Sequence, residues 1–304
     1  MKFEEYGKIT ISPTILRDTE CHKLLKPVDY TELVIDAITR NMTTVVLPDG
    51  VTKIRAYAFA NDKSLEKITI PDTVTSIGDS AFMDCALLKE ITIPDSCLNL
   101  GTSVFMRCEA LKRVELPNRI SKITKNLFFK CDQLESIIIP ESVTEIQEYA
   151  FNNCFDLENV TLPDNLLCIG SDAFNNCESL SLTTLPDTIT TIGSNAFNFC
   201  KSLKLTTLPS GMTELNVRVF AGCTGLTEFV IPAGIKKLGS AFTNCTGLTK
   251  VTFKGTPETM SSTFSRCTQS FVINVPWAEG AVAGAPWGAT NATINYNYTN
   301  TPEE

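Results

Sequence analysis

The chain has 304 residues, 43% of them apolar and 20% charged, with a net charge of −8 and twelve cysteines. This is the profile of a globular chain with enough apolar mass for a large core, not of a disordered or fibrous one. The acidic balance and the lack of any long basic run exclude a phosphate footprint for nucleic acid and docking on an anionic membrane, and no apolar run reaches the roughly 18 residues of a spanning helix.

The first 41 residues follow no period. The opening Met1-Lys2-Phe3-Glu4-Glu5-Tyr6 is acidic, has no apolar stretch after it, and does not read as a secretory signal. Two pieces, Lys8-Ile9-Thr10-Ile11 and Glu32-Leu33-Val34-Ile35-Asp36, alternate like strands. Residues 1–41 are therefore expected to be an N-terminal cap.

From residue 42 a strict repeat begins. Pro48, Pro71, Pro94, Pro117, Pro140, Pro163, Pro186, Pro209 and Pro232 are each 23 residues apart. A Phe stands eleven residues beyond each of the first eight, from Phe59 to Phe220, and Phe242 and Phe264 continue the series with one residue deleted from each of the last two coils. A Cys follows three residues after nine of these ten phenylalanines, and a Leu stands three residues beyond that position in the first nine coils, from Leu65 to Leu248. Four residue types in lockstep over this distance define an internal repeat.

One unit is Leu65-Glu66-Lys67-Ile68-Thr69-Ile70-Pro71-Asp72-Thr73-Val74-Thr75-Ser76-Ile77-Gly78-Asp79-Ser80-Ala81-Phe82-Met83-Asp84-Cys85. L-x-x-I-x-I-P alternates with period two, as a half-buried strand does, and ends at a proline that cannot donate to a ladder. V-T-x-I-G is a second short extended piece. A-F-x-x-C-x-x-L has helical or 3-10 spacing. No unit can bury its apolar side alone, but stacked units can, each Leu, Ile, Phe and Cys resting on its equivalent in the next coil. The predicted fold is a repeat solenoid of about ten right-handed coils, mainly parallel β with short helical or 3-10 turns. The Phe column is expected to be its spine, so that Phe151→Ala costs about 3–5 kcal/mol.

The pattern LxxIxIPxxVTxIGxxAFxxCxxL resembles the BspA-like leucine-rich repeats from residue 42 to about 270. The resemblance implies a curved parallel-strand solenoid, occurrence on bacterial and protist surfaces, adhesion or binding to proteins or cell surfaces, and no catalytic residues. Coil one departs from the pattern with Asp62 in place of Cys, and Lys254 replaces the last proline.

The solenoid is expected to span 42–267, followed by a C-terminal cap and tail over 268–304. Phe271-Val272-Ile273-Asn274-Val275 and Thr293-Ile294-Asn295-Tyr296 read as strands there, and both tryptophans, Trp277 and Trp287, fall between or beside them. Large side chains at this end suit a role in covering an open core.

Candidates for chemistry are few. Nine cysteines share one column and read as small buried hydrophobes. Cys97 takes a Val or Ile position, and Cys168 a polar one, which makes Cys168 the expected reactive thiol. In-register side chains point the same way, so the column is not expected to form disulfides. Cys21 beside His22 is read as accidental. His22 is the only histidine, which leaves little for a nucleophilic triad or a His-based metal site. No glycine-rich nucleotide loop occurs, so no enzyme activity, metal or cofactor is expected. The sequons at Asn41, Asn159, Asn244, Asn291 and Asn297 are read as coincidental.

The outward face of the strand ladder carries two columns. One runs Lys67, Glu90, Arg113, Ser136, Asn159, Leu182, Leu205, Glu228, Lys250; the other Thr69, Thr92, Glu115, Ile138, Thr161, Thr184, Thr207, Val230, Thr252. Ile138, Leu182, Leu205 and Val230 break the run of Thr and charge and are expected to form an exposed apolar patch, with Arg113, Glu115 and Glu228 at its rim. The competing reading is that Leu182 and Leu205 reflect local duplication, or that a one-residue slip turns them inward and puts Thr183 and Thr206 outside. The chain is expected to be a monomeric recognition scaffold with a protein or glycan partner on this face, the alternative being a structural spacer in a larger surface or phage-particle assembly.

Overall fold

The structure, a computed structural model, describes residues 43–299 together with the strand pair Phe3–Glu4 and Lys8–Ile9. That pair is antiparallel, and the rest of the expected N-terminal cap lies outside the described residues. The chain divides into two compact units, Met1–Thr161 and Leu162–Glu304, and each is a stack of β-coils.

In the first unit each coil contributes two strands. The longer ones pair in parallel and in register: Thr44–Val46 with Lys67–Thr69, Glu90–Thr92 with Arg113–Glu115, and Ser136–Ile138 with Asn159–Thr161. Each follows an exposed–buried–exposed pattern, so that Val45, Ile68, Ile91, Val114, Ile137 and Val160 point inward between solvent-facing neighbours. The shorter strands, Lys53–Ile54, Ser76–Ile77 and Asn99–Leu100, form a second parallel ladder, and Lys122–Ile123 pairs with Glu145–Ile146 in the same way. At Gly78 the coils approach so closely that a Cβ would collide with the backbone nitrogen of Ala56, which accounts for the glycine.

The segment around each Phe is not a helix, although its spacing is helical. Ser80 and Asp84, two residues either side of Phe82, have φ of 55° and 61°. Left-handed residues at that interval interrupt any right-handed helix. The chain instead makes overlapping turns whose alternate N–H groups leave the coil. Ser80, Phe82 and Asp84 donate to the carbonyls of Thr102, Val104 and Met106 one coil on, at 2.8–2.9 Å. Ala81, Met83 and Cys85 close turns on Gly78, Ser80 and Phe82. Every buried amide here finds a partner, and the coils gain a third inter-coil ladder that the apolar pattern alone does not disclose.

Inside, Phe59, Phe82, Phe105, Phe128 and Phe151 stack with ring centroids 5.1–5.6 Å apart and planes within 16° of parallel. Asp62, which replaces the column cysteine in coil one, accepts the backbone N–H groups of Ser64 (2.9 Å) and Leu65 (3.2 Å) through Oδ1.

The second unit repeats this plan with two changes. Phe174, Phe197, Phe220, Phe242 and Phe264 continue as a stack of 5.4–5.8 Å spacing. Glu228–Ile231, Lys250–Phe253, Phe271–Asn274 and Ala292–Asn295 form one parallel ladder. The ladder thus runs on beyond residue 268. Trp287 sits there 1% exposed, and its carbonyl accepts the Phe264 N–H at 3.0 Å, the bond another coil would otherwise provide. Trp277 packs edge-on against both Phe253 (5.2 Å) and Trp287 (6.1 Å).

The other change corrects a prediction. Leu205, expected on the outward face, is 1% exposed, and Leu182 is half-buried, while Thr183 and Thr206 face solvent. The pairing registers the slip directly. Lys204 N donates to Leu182 O, 22 residues back, where Lys112 N reaches Lys89 O over 23; one coil on, Val230 N reaches Thr206 O over 24, the span that Lys67 N makes to Thr43 O between in-register strands, so the ordinary frame holds again there. A one-residue slip exchanges the faces of a strand, and here it places Leu205 inside and half-covers Leu182, leaving outside the threonine hydroxyls, which lose hydrogen bonds when buried. These two segments make no regular strand beyond a bridge between Thr207 and Val230.

Candidate functional site

The column cysteines do more than fill space. In the first unit the column thiols donate to a Phe carbonyl of the preceding coil: Cys85 to Phe59, Cys108 to Phe82, Cys131 to Phe105 and Cys154 to Phe128, all at 3.1 Å. In the second unit Cys200, Cys223, Cys245 and Cys267 do the same at 3.0–3.1 Å. The position therefore calls for a small apolar side chain that carries one weak donor. Burial pushes the Cys85 thiol up to about 12 and the Cys267 and Cys97 thiols to about 11, away from the range of a nucleophile. Cys168, on the strand Cys168–Ile169, is half-buried. With a maleimide at neutral pH, Cys168 should label first, and the column should label only after denaturation. Fast native labelling of several column thiols would overturn this assignment.

The strand face of the first unit carries a shallow concavity of about 390 Å³ lined by Lys67, Thr69, Glu90, Thr92, Arg113 and Glu115, with Asp72 and Pro94 at its edge. The parallel register sets Lys67 beside Glu90 and Glu90 beside Arg113. Lys67 pairs with Glu90 at 3.4 Å, and the Thr92 hydroxyl donates to Glu115 at 2.9 Å. Beyond Pro94, Asp95 accepts the Asn118 backbone N–H (2.8 Å) and side-chain amide (3.2 Å), and these bonds hold its carboxyl below the usual range. Ile138, on the same strand face, is 73% exposed. Arg113, Glu115 and Ile138 are thus solvent-facing members of one unit. The sequence columns reveal them, but not the Lys67–Glu90 and Thr92–Glu115 links that order the concavity, because those depend on side-chain conformation.

The residues expected to join them from the second unit behave differently. Leu205 is inside and Leu182 half-covered, so the expected apolar patch is not formed there. Glu228 is exposed and paired with Lys250 at 2.7 Å. Val230 is half-buried, and its carbonyl accepts the Thr207 hydroxyl at 3.1 Å.

The geometry can be set beside known proteins. The sequence profile described as the BspA type leucine rich repeat region matches residues 37–158 and 144–270, most of the chain. The chain belongs to the BspA-type leucine-rich repeat family. Among solved structures, a leucine-rich repeat protein from Eubacterium ventriosum is 30% identical with a TM-score of 0.53, over 58% of this chain and 48% of that one; the chain thus spans about half of that protein's length. A leucine-rich repeat protein from Bacteroides ovatus is 27% identical with a TM-score of 0.38, covering 71% of this chain and 82% of that one. A leucine rich cell surface protein from Faecalibacterium prausnitzii is 24% identical with a TM-score of 0.44, covering 90% and 92%. No curated protein matches.

For this BspA-type chain, no group of three or more His, Cys, Asp or Glu among the described residues is placed to hold a metal ion. Among the described residues, no helix is long and apolar enough to cross a membrane.

Proposed function

We propose that this BspA-type chain is a non-enzymatic recognition scaffold, and that the strand face of its first unit around Arg113, Glu115 and Ile138 binds a protein or cell-surface partner. One observation carries the reading. Thr44, Lys67, Glu90, Arg113, Ser136 and Asn159 occupy equivalent exposed positions on a fixed frame, yet they differ in charge, size and hydrogen bonding. The inward residues beside them are uniformly Val or Ile. A scaffold that holds geometry constant while varying its displayed chemistry is suited to recognition. The exposed Ile138 offers apolar area next to oriented charge, the combination of an interface core with its rim. The upward-shifted column thiols support a role without nucleophilic chemistry.

A photo-crosslinking side chain at Arg113 or Ile138 should capture a partner from cells, whereas one at Lys122, on the shorter-strand ladder, should not. The charge swap Arg113→Glu with Glu115→Arg should weaken that partner's binding by about tenfold or more without changing the melting temperature. Capture at Lys122 alone would move the interface off this face. No capture at any position would favour the spacer role.

A further inference from the structure

The two coils shortened by one residue carry a second candidate site, on the turn segments of the second unit. In coil eight five residues lead from Leu215 to Phe220; in the next two only four lead from Leu238 to Phe242 and from Met260 to Phe264. Asp172 and Asn195, two residues before Phe174 and Phe197, donate their backbone N–H groups to Ser194 and Val217 of the following coil at 2.9 and 3.0 Å. Arg218 holds the same position with φ 56°, but the shortened coil beyond it has drawn back, and its N–H has no acceptor among the described residues. The withdrawal opens a cleft of about 410 Å³, within the size range of small-molecule sites.

The lining of this cleft is specific. Arg218 and Arg266 come from the coils either side of the floor formed by Ser240 and Asn244, and no carboxylate lines it. Neither guanidinium makes an ion pair among the described residues, unlike Arg107 of the first unit, which Asp84 neutralises at 3.1 Å. One wall is the Phe199 ring, 42% exposed, lying over Gly222; a Cβ there would stand 2.5 Å from the ring, so glycine is what lets the ring lie across the coil. Two unneutralised guanidiniums on a chain of net charge −8 select an anionic group, which they can grip through paired N–H donors. A bare anion could accept hydrogen bonds from the amide and hydroxyl groups of the lining but would make no use of the exposed ring. A sugar would, with its C–H face on the ring and its hydroxyls on Asn244 and Ser240.

We propose that this cleft binds an anionic saccharide, with Arg218 and Arg266 holding its carboxylate or sulfate and Phe199 supporting its ring. The site is separate from the strand face of the first unit, so its failure would leave that reading untouched, and the reverse holds. The test is calorimetric titration of the full chain at low salt with sialyllactose, a sulfated heparin disaccharide, neutral lactose and inorganic sulfate. One of the two anionic sugars should bind, which identifies the acidic group. Lactose should bind at least about tenfold more weakly, and Arg218→Gln and Arg266→Gln should each weaken the anionic sugar by about tenfold or more. Phe199→Ala should weaken the sugar and leave inorganic sulfate unchanged. Near-ultraviolet circular dichroism of each variant confirms the fold. Binding of neither anionic sugar, binding indifferent to both arginines, or sulfate binding as tightly as the sugar would each overturn the proposal.

Discussion

Above pH 9 the folded protein is expected to lose stability steeply, with a reductant present to prevent cross-linking. The cause is the cysteine column. Burial raises Cys85, Cys108 and Cys131 in the first unit, and Cys200, Cys223, Cys245 and Cys267 in the second, above their ordinary value of 9.0. Well below pH 9 these thiols are protonated whether the chain is folded or not, and they contribute no pH dependence. Above it the unfolded chain releases protons that the folded chain keeps, so each thiol favours unfolding until the pH reaches its folded value, about 11 for Cys267 and about 12 for Cys85. At about pH 10 one such thiol costs about 1.4 kcal/mol. Three then remove on the order of 4 kcal/mol from the first unit and four on the order of 6 kcal/mol from the second, against a typical total stability of about 5–15 kcal/mol. Thiolate absorbance should therefore rise together with the loss of circular dichroism, and Cys131→Ala should flatten the alkaline slope by one proton. Full thiolate formation while the fold remains intact would refute the account.

Phe105→Ala should destabilise the protein by about 3–5 kcal/mol in chemical denaturation. Phe105 is fully buried and stacks on Phe82 at 5.6 Å and on Phe128 at 5.5 Å, so truncation removes a partner from both rings and leaves a cavity. The coils cannot close over it, because inter-coil hydrogen bonds set their spacing: Phe105 N donates to Leu127 O at 3.0 Å. Phe105→Leu keeps most of the volume and should cost clearly less. A loss under about 1 kcal/mol for the alanine variant would mean that the stack adapts and is not the spine of the unit.

The repeat, the columns and the inward or outward sense of most strand residues are all legible in the sequence. Their origin is a period of 23 in which Leu, Ile, Phe and Cys recur in phase, and parallel in-register stacking is the way such a chain buries every copy. Arg113, Glu115 and Ile138 follow from that logic and stand on the exposed face of the first unit. Where the period holds but the residue type changes, the sequence alone leaves two registers open. At Leu182 and Leu205 the balance between burying leucine and burying threonine shifted the pairing by one residue, and only packing against adjacent coils could decide that. Helical spacing around each Phe likewise hid the left-handed residues at its flanks, because their cost is offset by hydrogen bonds to another coil some 21 or 22 residues away. The one-residue deletions near Phe242 and Phe264 are visible in the sequence as a count. Only the tertiary structure shows them as a space beside Arg218, because a gap is a property of the neighbours that fail to fill it.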